Sequence, residues 1–342
     1  MKNKFTSLLT FPIILSTFLT LIISISLLVI FTEPVSISTD NSEVKIPHGA
    51  SLWQIAKILE TRQMISNRNS FVFLTKLKFS QKKLKSGFYD LEGIKTTNQL
   101  INLLLKGQNL STKITIPEGS TAKEIAVIIS PHINIDESQF LELCRDVSFI
   151  DGLNLETESL EGYLFPDTYF FYKNDVEKTI IEKMVKNFKE KWLNITNFIP
   201  NNSGKNQHEI LTLASLIEGE CMLDVERPNV SSLYQNRLKR GMKLESDPTV
   251  QYIISDGPRR LLTKDLKIDS PYNTYMYKGL PPGPVNNPGE KSIIAAIMPE
   301  ETKYIYMVAQ GDGSHFFSKN YNSFLQAKKR FQKVRRKYEG MN

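Results

Sequence analysis

The sequence predicts an α+β chain of several modules behind a single N-terminal transmembrane helix. Three observations predict it. A long uncharged run opens the chain, a strand–turn–helix pattern occurs twice in the same register, and the composition shifts near residue 160 to very apolar helices followed by a turn-dense tail.

From Phe5 to Phe31 there are 27 residues without a charge, rich in Leu, Ile, Phe, Ser and Thr. As a helix rising about 1.5 Å per residue, this run reaches roughly 40 Å, more than the ~30 Å hydrocarbon core of a bilayer. A cleaved signal usually has an apolar stretch of about 7–15 residues, so a retained anchor is the better fit. Lys2 and Lys4 precede the run and Glu33 follows it. The amino terminus should then stay cytoplasmic, with everything after residue 34 outside the inner (cytoplasmic) membrane. No comparable run follows, so a single pass is expected. Residues 1–33 are assigned to the cytoplasmic tip and anchor. Residues 34–43 are small and polar and read as a linker.

The repeat comes next. Val44-Lys45-Ile46-Pro47-His48-Gly49, followed by Ile55-Ala56-Lys57-Ile58-Leu59, recurs as Ile114-Thr115-Ile116-Pro117-Glu118-Gly119, followed by Ile125-Ala126-Val127-Ile128-Ile129, at an offset of 70 residues. Each copy alternates apolar and polar residues into a Pro-x-Gly turn, as a strand does. Each then shows apolar residues three and four apart, with Ser51 or Thr121 placed to cap the helix. Between the copies, Lys85–Leu91 reads as a strand, and Thr96-Thr97-Asn98-Gln99 opens a helix that Gly107 closes. Residues 44–110 resemble a LysM-like module, a small α+β fold used against cell-wall glycans; a spacer setting distance from the membrane is the plainer reading. Residues 111–159 hold the second copy and a connection.

Residues 160–342 are expected to form a further α+β domain. Asp175 is placed to cap a helix with the stripe Ile180, Ile181, Met184, Val185, Phe188 and Trp192. A very apolar helix follows over Glu209–Glu220. After Leu244 the chain is dense in Pro and Gly turns. It ends with a strand candidate over Tyr304–Ala309, a Gly311-Asp312-Gly313 turn and a basic helix.

Several function classes are excluded. The two cysteines, Cys144 and Cys221, lie far apart with no CxxC, and the four histidines form no HExxH, so neither metal nor other cofactor is expected. One Cys144–Cys221 bridge is conceivable outside the membrane. The net charge of +7 is concentrated in Lys328–Lys337. A nucleic-acid partner is excluded by the compartment; a solvated final helix, or attraction to anionic wall or lipid, accounts for the run.

Glu218 stands out physically. It falls in the last turn of the most apolar helix, and burial makes a carboxyl harder to ionise, as does the negative end of the helix dipole. A carboxylic acid held protonated can donate to a glycosidic leaving oxygen. Glu220, two residues on, points to another face.

Five stretches in order then carry a specific resemblance. They are Glu161-Gly162-Tyr163-Leu164-Phe165-Pro166-Asp167-Thr168-Tyr169; Leu213–Glu220; Asn236-Arg237-Leu238 with Gly241-Met242 and Ser246-Asp247-Pro248-Thr249-Val250; Tyr272-Asn273-Thr274-Tyr275 with Gly279-Leu280-Pro281-Pro282-Gly283-Pro284; and Gly311–Phe317. Together with the anchor and LysM-like module, this pattern resembles the endolytic murein transglycosylases, the MltG or YceG-like family. The resemblance implies Glu218 as the catalytic acid/base. It implies non-hydrolytic cleavage of the β-1,4 bond between MurNAc and GlcNAc, with the muramyl 6-hydroxyl attacking its own anomeric carbon to leave a 1,6-anhydro end. One carboxyl can serve both proton transfers. It also implies peptidoglycan glycan strands as substrate, work beside peptidoglycan synthases, and control of glycan chain length. Asn236, Arg237, Asp247, Tyr272, Asn273, Tyr275 and Glu161 are candidate substrate contacts, although Arg237 also suits a structural ion pair and Glu161 suits orienting the active-site helix. The chain departs from the family where a His-Asn pair is expected and Phe324-Leu325 stands instead. Two rivals remain: a hydrolase of the same bond, assisted by Asp247 or Glu161, and a non-catalytic wall-binding scaffold.

Overall fold

The computed structural model of the chain describes residues 16–339, apart from residues 23, 27, 30, 36–41, 108–110, 174 and 201–203, with side chains described as far as residue 333. It forms two compact units, Met1–Ser111 and Thr112–Asn342.

In the first unit, β1 (Glu43–Ile46) pairs antiparallel with β2 (Gly87–Asp90), Val44 opposite Tyr89. Alternation puts Val44, Ile46 and Tyr89 on the buried face. Helices α1 (Leu52–Thr61), α2 (Arg68–Leu77) and α3 (Thr97–Lys106) close over them with Ile55, Leu59, Phe71, Leu74, Leu100 and Leu104. Each of these large side chains contributes about 1.5–3 kcal/mol through burial. Ser51 caps α1 in a reciprocal box with Gln54, and Thr96 caps α3.

Residues 16–31 are helical where described, with Phe18, Leu21, Ile25 and Leu28 uncovered. No helix among the described residues is long and apolar enough to cross a membrane; residues 5–15 of the expected span lie outside them. The expected linker does not begin as free chain. Thr97 donates its N–H to the Glu33 carbonyl at 3.0 Å, Pro34 bridges Thr96, and Val35 donates to the Lys95 carbonyl at 3.1 Å. Residues 36–41 of it lie outside the described residues.

The second unit begins with the second copy: β3 (Ser111–Thr115), which pairs with β4 (Thr168–Tyr172), and α4 (Ala122–Ile129), capped by a Thr121–Glu124 box. Short helices α5 (Glu137–Leu143) and α6 (Val147–Gly152) follow, then the long α7 (Glu177–Phe198). Packing runs continuously across residues 159–160, because Ile114, Ile125 and Ile129 share one core with Phe188, Leu213 and Ile293. The apolar stripe of α7 is buried as its spacing predicts, with Trp192 at its margin. Asp175 does not cap it. Val176 holds that position, and the buried Asp175 carboxylate instead accepts from the Tyr172 N–H and pairs with Lys183 at 3.3 Å.

The centre of this unit is α8 (Gln207–Glu220), started by an Asn206–Glu209 capping box and buried without interruption from Ile210 to Ile217. Around it pack α9 (Arg227–Lys239), α10 (Asp247–Ile253) and α11 (Glu290–Ile297). A β-carbon on Gly219 would stand 2.5 Å from Pro248 Cγ, so glycine is what lets α10 approach this end of α8. The hairpin of β5 (Tyr306–Ala309) and β6 (His315–Ser318) and the terminal helix α12 (Tyr321–Glu339) complete the unit. Phe324, at the departure from the family pattern, stacks on Tyr306 with ring centroids 5.1 Å apart. Cys144 and Cys221 are both buried and free, so the conceivable bridge is not formed.

Candidate active site

The last turn of α8 carries Glu218 out of the core, its side chain only 7% exposed. The carboxylate does not face apolar side chains, as its sequence context suggested. One oxygen meets Arg227 Nη1 at 3.1 Å, and the other accepts the Gly289 N–H at 3.0 Å. Arg227 opens α9 and is itself held: Nε meets Asp224 Oδ1 at 3.0 Å and Nη1 donates to the Ser292 hydroxyl. Lys291 pairs with the other Asp224 oxygen. Glu218 is thus set by a guanidinium and a main-chain amide, held at the starts of α9 and α11.

A second carboxylate stands beside it. The turn Pro117-Glu118-Gly119 of the second copy is held down by the Gly119 N–H, which donates to the Asn287 carbonyl at 2.9 Å. Gly119 has φ +78°, and a β-carbon there would lie 3.4 Å from Glu218 Cγ. The Glu118 carboxylate in turn fills the space where Gly289 would carry a β-carbon. Both carboxylates therefore flank Gly289, no more than about 8 Å apart. Partial burial first, and then the Glu218 charge, push the Glu118 carboxyl up from its ordinary value, against the pull of Arg227.

Asn287 locks this arrangement. It is fully buried, accepts from the Gly162 and Leu164 N–H groups at 2.8 and 2.9 Å, and donates to the Ser120 carbonyl and Glu161 Oε1, both at 2.9 Å. Glu161 also accepts the Ala122 N–H at the start of α4 at 3.0 Å. Burial pushes the Glu161 carboxyl up to about 8 despite these bonds. It is a groove-lining residue whose oxygens brace the turn that bears Glu118.

From Glu118 and Gly219 a groove of about 1030 Å³ runs past Ser120, Glu161, Glu220, Asp247 and Tyr252. Glu220 does point elsewhere than Glu218: it accepts from the Tyr234 and Ser246 hydroxyls at 2.9 and 3.1 Å, and burial followed by the nearby Asp247 charge raises it. Asp247 accepts from the Tyr275 hydroxyl at 2.6 Å, so these two candidates meet at the groove. Tyr272 packs on Tyr252, centroids 5.1 Å apart. Three candidates turn their donors to the main chain instead. Asn236 donates to the Thr302 and Tyr304 carbonyls, and Asn273 to those of Leu266 and Ile268. The Arg237 guanidinium reaches the Ile305 and Leu244 carbonyls and pairs with Glu245 at 3.2 Å.

With this geometry in hand, comparison with known proteins is decisive. The model of the YceG-like family matches residues 44–330. The chain belongs to that family. It is 34% identical over 318 residues to an endolytic murein transglycosylase of Bacillus subtilis (strain 168), covering 87% of each chain. An endolytic murein transglycosylase of Streptococcus pneumoniae serotype 2 (strain D39 / NCTC 7466) is 29% identical over 311 residues; the match takes in 81% of this chain but 56% of that one. The 2.6 Å crystal structure of a YceG-like protein from Listeria monocytogenes superposes with a TM-score of 0.57 at 33% identity, covering 83% of this chain and 97% of that one.

Four residues of the site escaped the sequence reading: Glu118, Arg227, Asn287 and Gly289. Glu118 had a signal, since it is the position at which the two otherwise similar turns differ in charge, His48 against Glu118. Asn287 and Gly289 sit in a Pro- and Gly-rich stretch whose pattern announces turns and nothing more. Arg227 has no local signal.

Proposed function

We propose that the chain is an endolytic lytic transglycosylase that cleaves the MurNAc–GlcNAc β-1,4 bond within peptidoglycan strands and leaves 1,6-anhydroMurNAc ends. The observation that carries this reading is Glu218, fixed at the end of a buried helix with Glu118 beside it, where Glu118 and Gly219 open a groove. Glu218 is the acid/base residue. It donates to the leaving GlcNAc oxygen and accepts the proton of the muramyl 6-hydroxyl as that oxygen attacks C1. Partial burial and the neighbouring Glu218 charge both raise the Glu118 carboxyl. Glu118 thereby keeps a proton at the site although Glu218 faces Arg227.

Asp247, Tyr275, Tyr272 and Glu161 line or support the groove and serve substrate placement. For Asn236, Arg237 and Asn273 the same role would run through the loops they hold. The apolar amino-terminal run anchors the protein in the inner membrane, amino terminus inside. The 44–110 module, LysM-like in its pattern, stands between the anchor and residues 111–342, and the enzyme limits glycan length beside the peptidoglycan synthases.

One observation also favours a second reading. A hydrolase of the same bond uses two carboxylates, about 5 Å or roughly 6.5–9.5 Å apart by stereochemistry, and Glu118 and Glu218 stand no more than about 8 Å apart. Mass spectrometry of peptidoglycan glycans digested by the full chain, beside a folded Glu218→Gln variant, separates the two. Anhydro-muramyl ends made by the unmodified protein, with a loss of at least about a thousandfold in the variant, are the expected result. Reducing ends would make it a hydrolase, and binding without cleavage would leave a wall-binding scaffold.

A further inference from the structure

Residues 69–89 hold five lysines and no Asp or Glu. Within them α2 ends in an exposed apolar edge: Phe73 is 49% exposed, Leu77 43% and Phe79 82%. Phe79 sits just past the helix with φ +50°, a left-handed conformation that is uncommon for a bulky side chain. Its N–H bonds the Lys76 carbonyl at 2.9 Å, which fixes that conformation. Lys76, Lys82 and Lys83, within four residues of it in sequence, are exposed, as is Lys85, whose Nζ donates to the Lys106 carbonyl at 3.1 Å.

This edge lies close to the end of the apolar amino-terminal run. Glu33, the residue that ends the run, accepts from the Thr97 N–H. The next residue, Asn98, accepts from Lys78 Nζ at 2.6 Å, and a third contact from Asn102 at 2.7 Å holds the same ammonium. Phe79 follows Lys78 directly. Two hydrogen bonds and two peptide links thus separate Phe79 from the point where the run ends, with no slack chain between.

We propose that this lysine-rich aromatic edge rests on the anionic headgroups of the bilayer that holds the apolar run. The proposal rests on the membrane-anchor reading above. Phe79, Phe73 and Leu77 enter the interfacial layer, and the four exposed lysines meet lipid phosphates. A neutral glycan would gain nothing from this charge, and an aromatic held outward by a left-handed backbone suits an apolar medium better than water. Docked this way, the first unit is held in a set orientation at the membrane surface by two attachments in place of one.

The test uses the full chain in vesicles of phosphatidylcholine with or without phosphatidylglycerol. A Phe79→Cys variant carries an environment-sensitive dye, the two natural cysteines being buried. Expected is a blue-shifted emission, with quenching by brominated lipid at least about threefold stronger when phosphatidylglycerol is present. High salt, or Lys76, Lys82, Lys83 and Lys85 all changed to Gln, should abolish that difference. Emission that is water-like and equal in both vesicle types overturns the proposal. An alkaline carbonate wash decides the reading beneath it. Retention with a water-exposed dye sinks the surface proposal alone, whereas release into the wash overturns the anchor and the surface contact with it.

Discussion

The turn at residues 47–49 and the turn at residues 117–119 are built alike. Each follows a short strand, each carries a glycine at φ near +75° (Gly49 +75°, Gly119 +78°), and each leads into a helix with a reciprocal capping box. Their surroundings differ. The first turn lines a cavity of about 520 Å³ with Lys82 and Lys85, and nothing lies within 4 Å of a β-carbon placed on Gly49. The second is fastened to Asn287 and backed by Glu161, and it delivers Glu118 to the side of Glu218. A local motif repeats as backbone; chemistry comes from what is packed against it.

The sharpest way to break this comparison is to exchange the residue at the tip of each turn. Glu118→Gln is expected to lower kcat/KM by about 10–100-fold. It should also remove the limb of the pH profile along which activity falls as pH rises through the raised Glu118 value. His48→Gln should leave both unchanged. Steady-state rates across pH check it, and equal losses at the two sites would mean that the second turn has no special role.

A matched pair comes next. Gly49→Ala and Gly119→Ala each force a β-carbon into the left-handed region, at a cost of about 1 kcal/mol that calorimetry should find similar for both. Only Gly119→Ala should slow cleavage, by several-fold, because only there does the new methyl meet Glu218.

The smallest effect on cleavage concerns what braces the second turn. The Glu161 carboxyl is raised by burial to about 8 from an ordinary 4.5. Between those values the native chain keeps a proton that the unfolded chain has lost, so stability falls as pH rises through that window and levels off above it. Glu161→Gln should remove most of that decline, read as a flatter dependence of Tm on pH. A decline of unchanged steepness would show that Glu161 is ionised throughout.

What could be read from the sequence was local. The repeat, the Ser51, Thr96 and Thr121 caps and the buried helix ending at Glu218 all follow from residues within a few positions of one another. Asp175 shows how narrow that reach is, because an ion pair with Lys183 drew the expected cap into a turn. The partners of Glu218 were not legible, because Arg227, Gly289 and Glu118 reach it through space from three other segments. Asn236, Arg237 and Asn273 carry the same lesson in reverse. They belong to motifs, yet their donors hold backbone carbonyls, so a motif residue can report the shape of a loop as readily as contact with a ligand.

Asn287 also bears on the order in which the site assembles. Its side chain joins Ser120, Glu161, Gly162 and Leu164, and Gly289 two residues on supplies an amide to Glu218. The bonds of Asn287 span more than 120 residues each, and contacts so far apart in sequence are slow to close. While the polypeptide emerges amino terminus first, everything up to Glu218 can be made with the cleft still unassembled. Until residue 289 has arrived, a nascent chain has neither the Asn287 bonds that hold the second turn nor the Gly289 amide that holds Glu218.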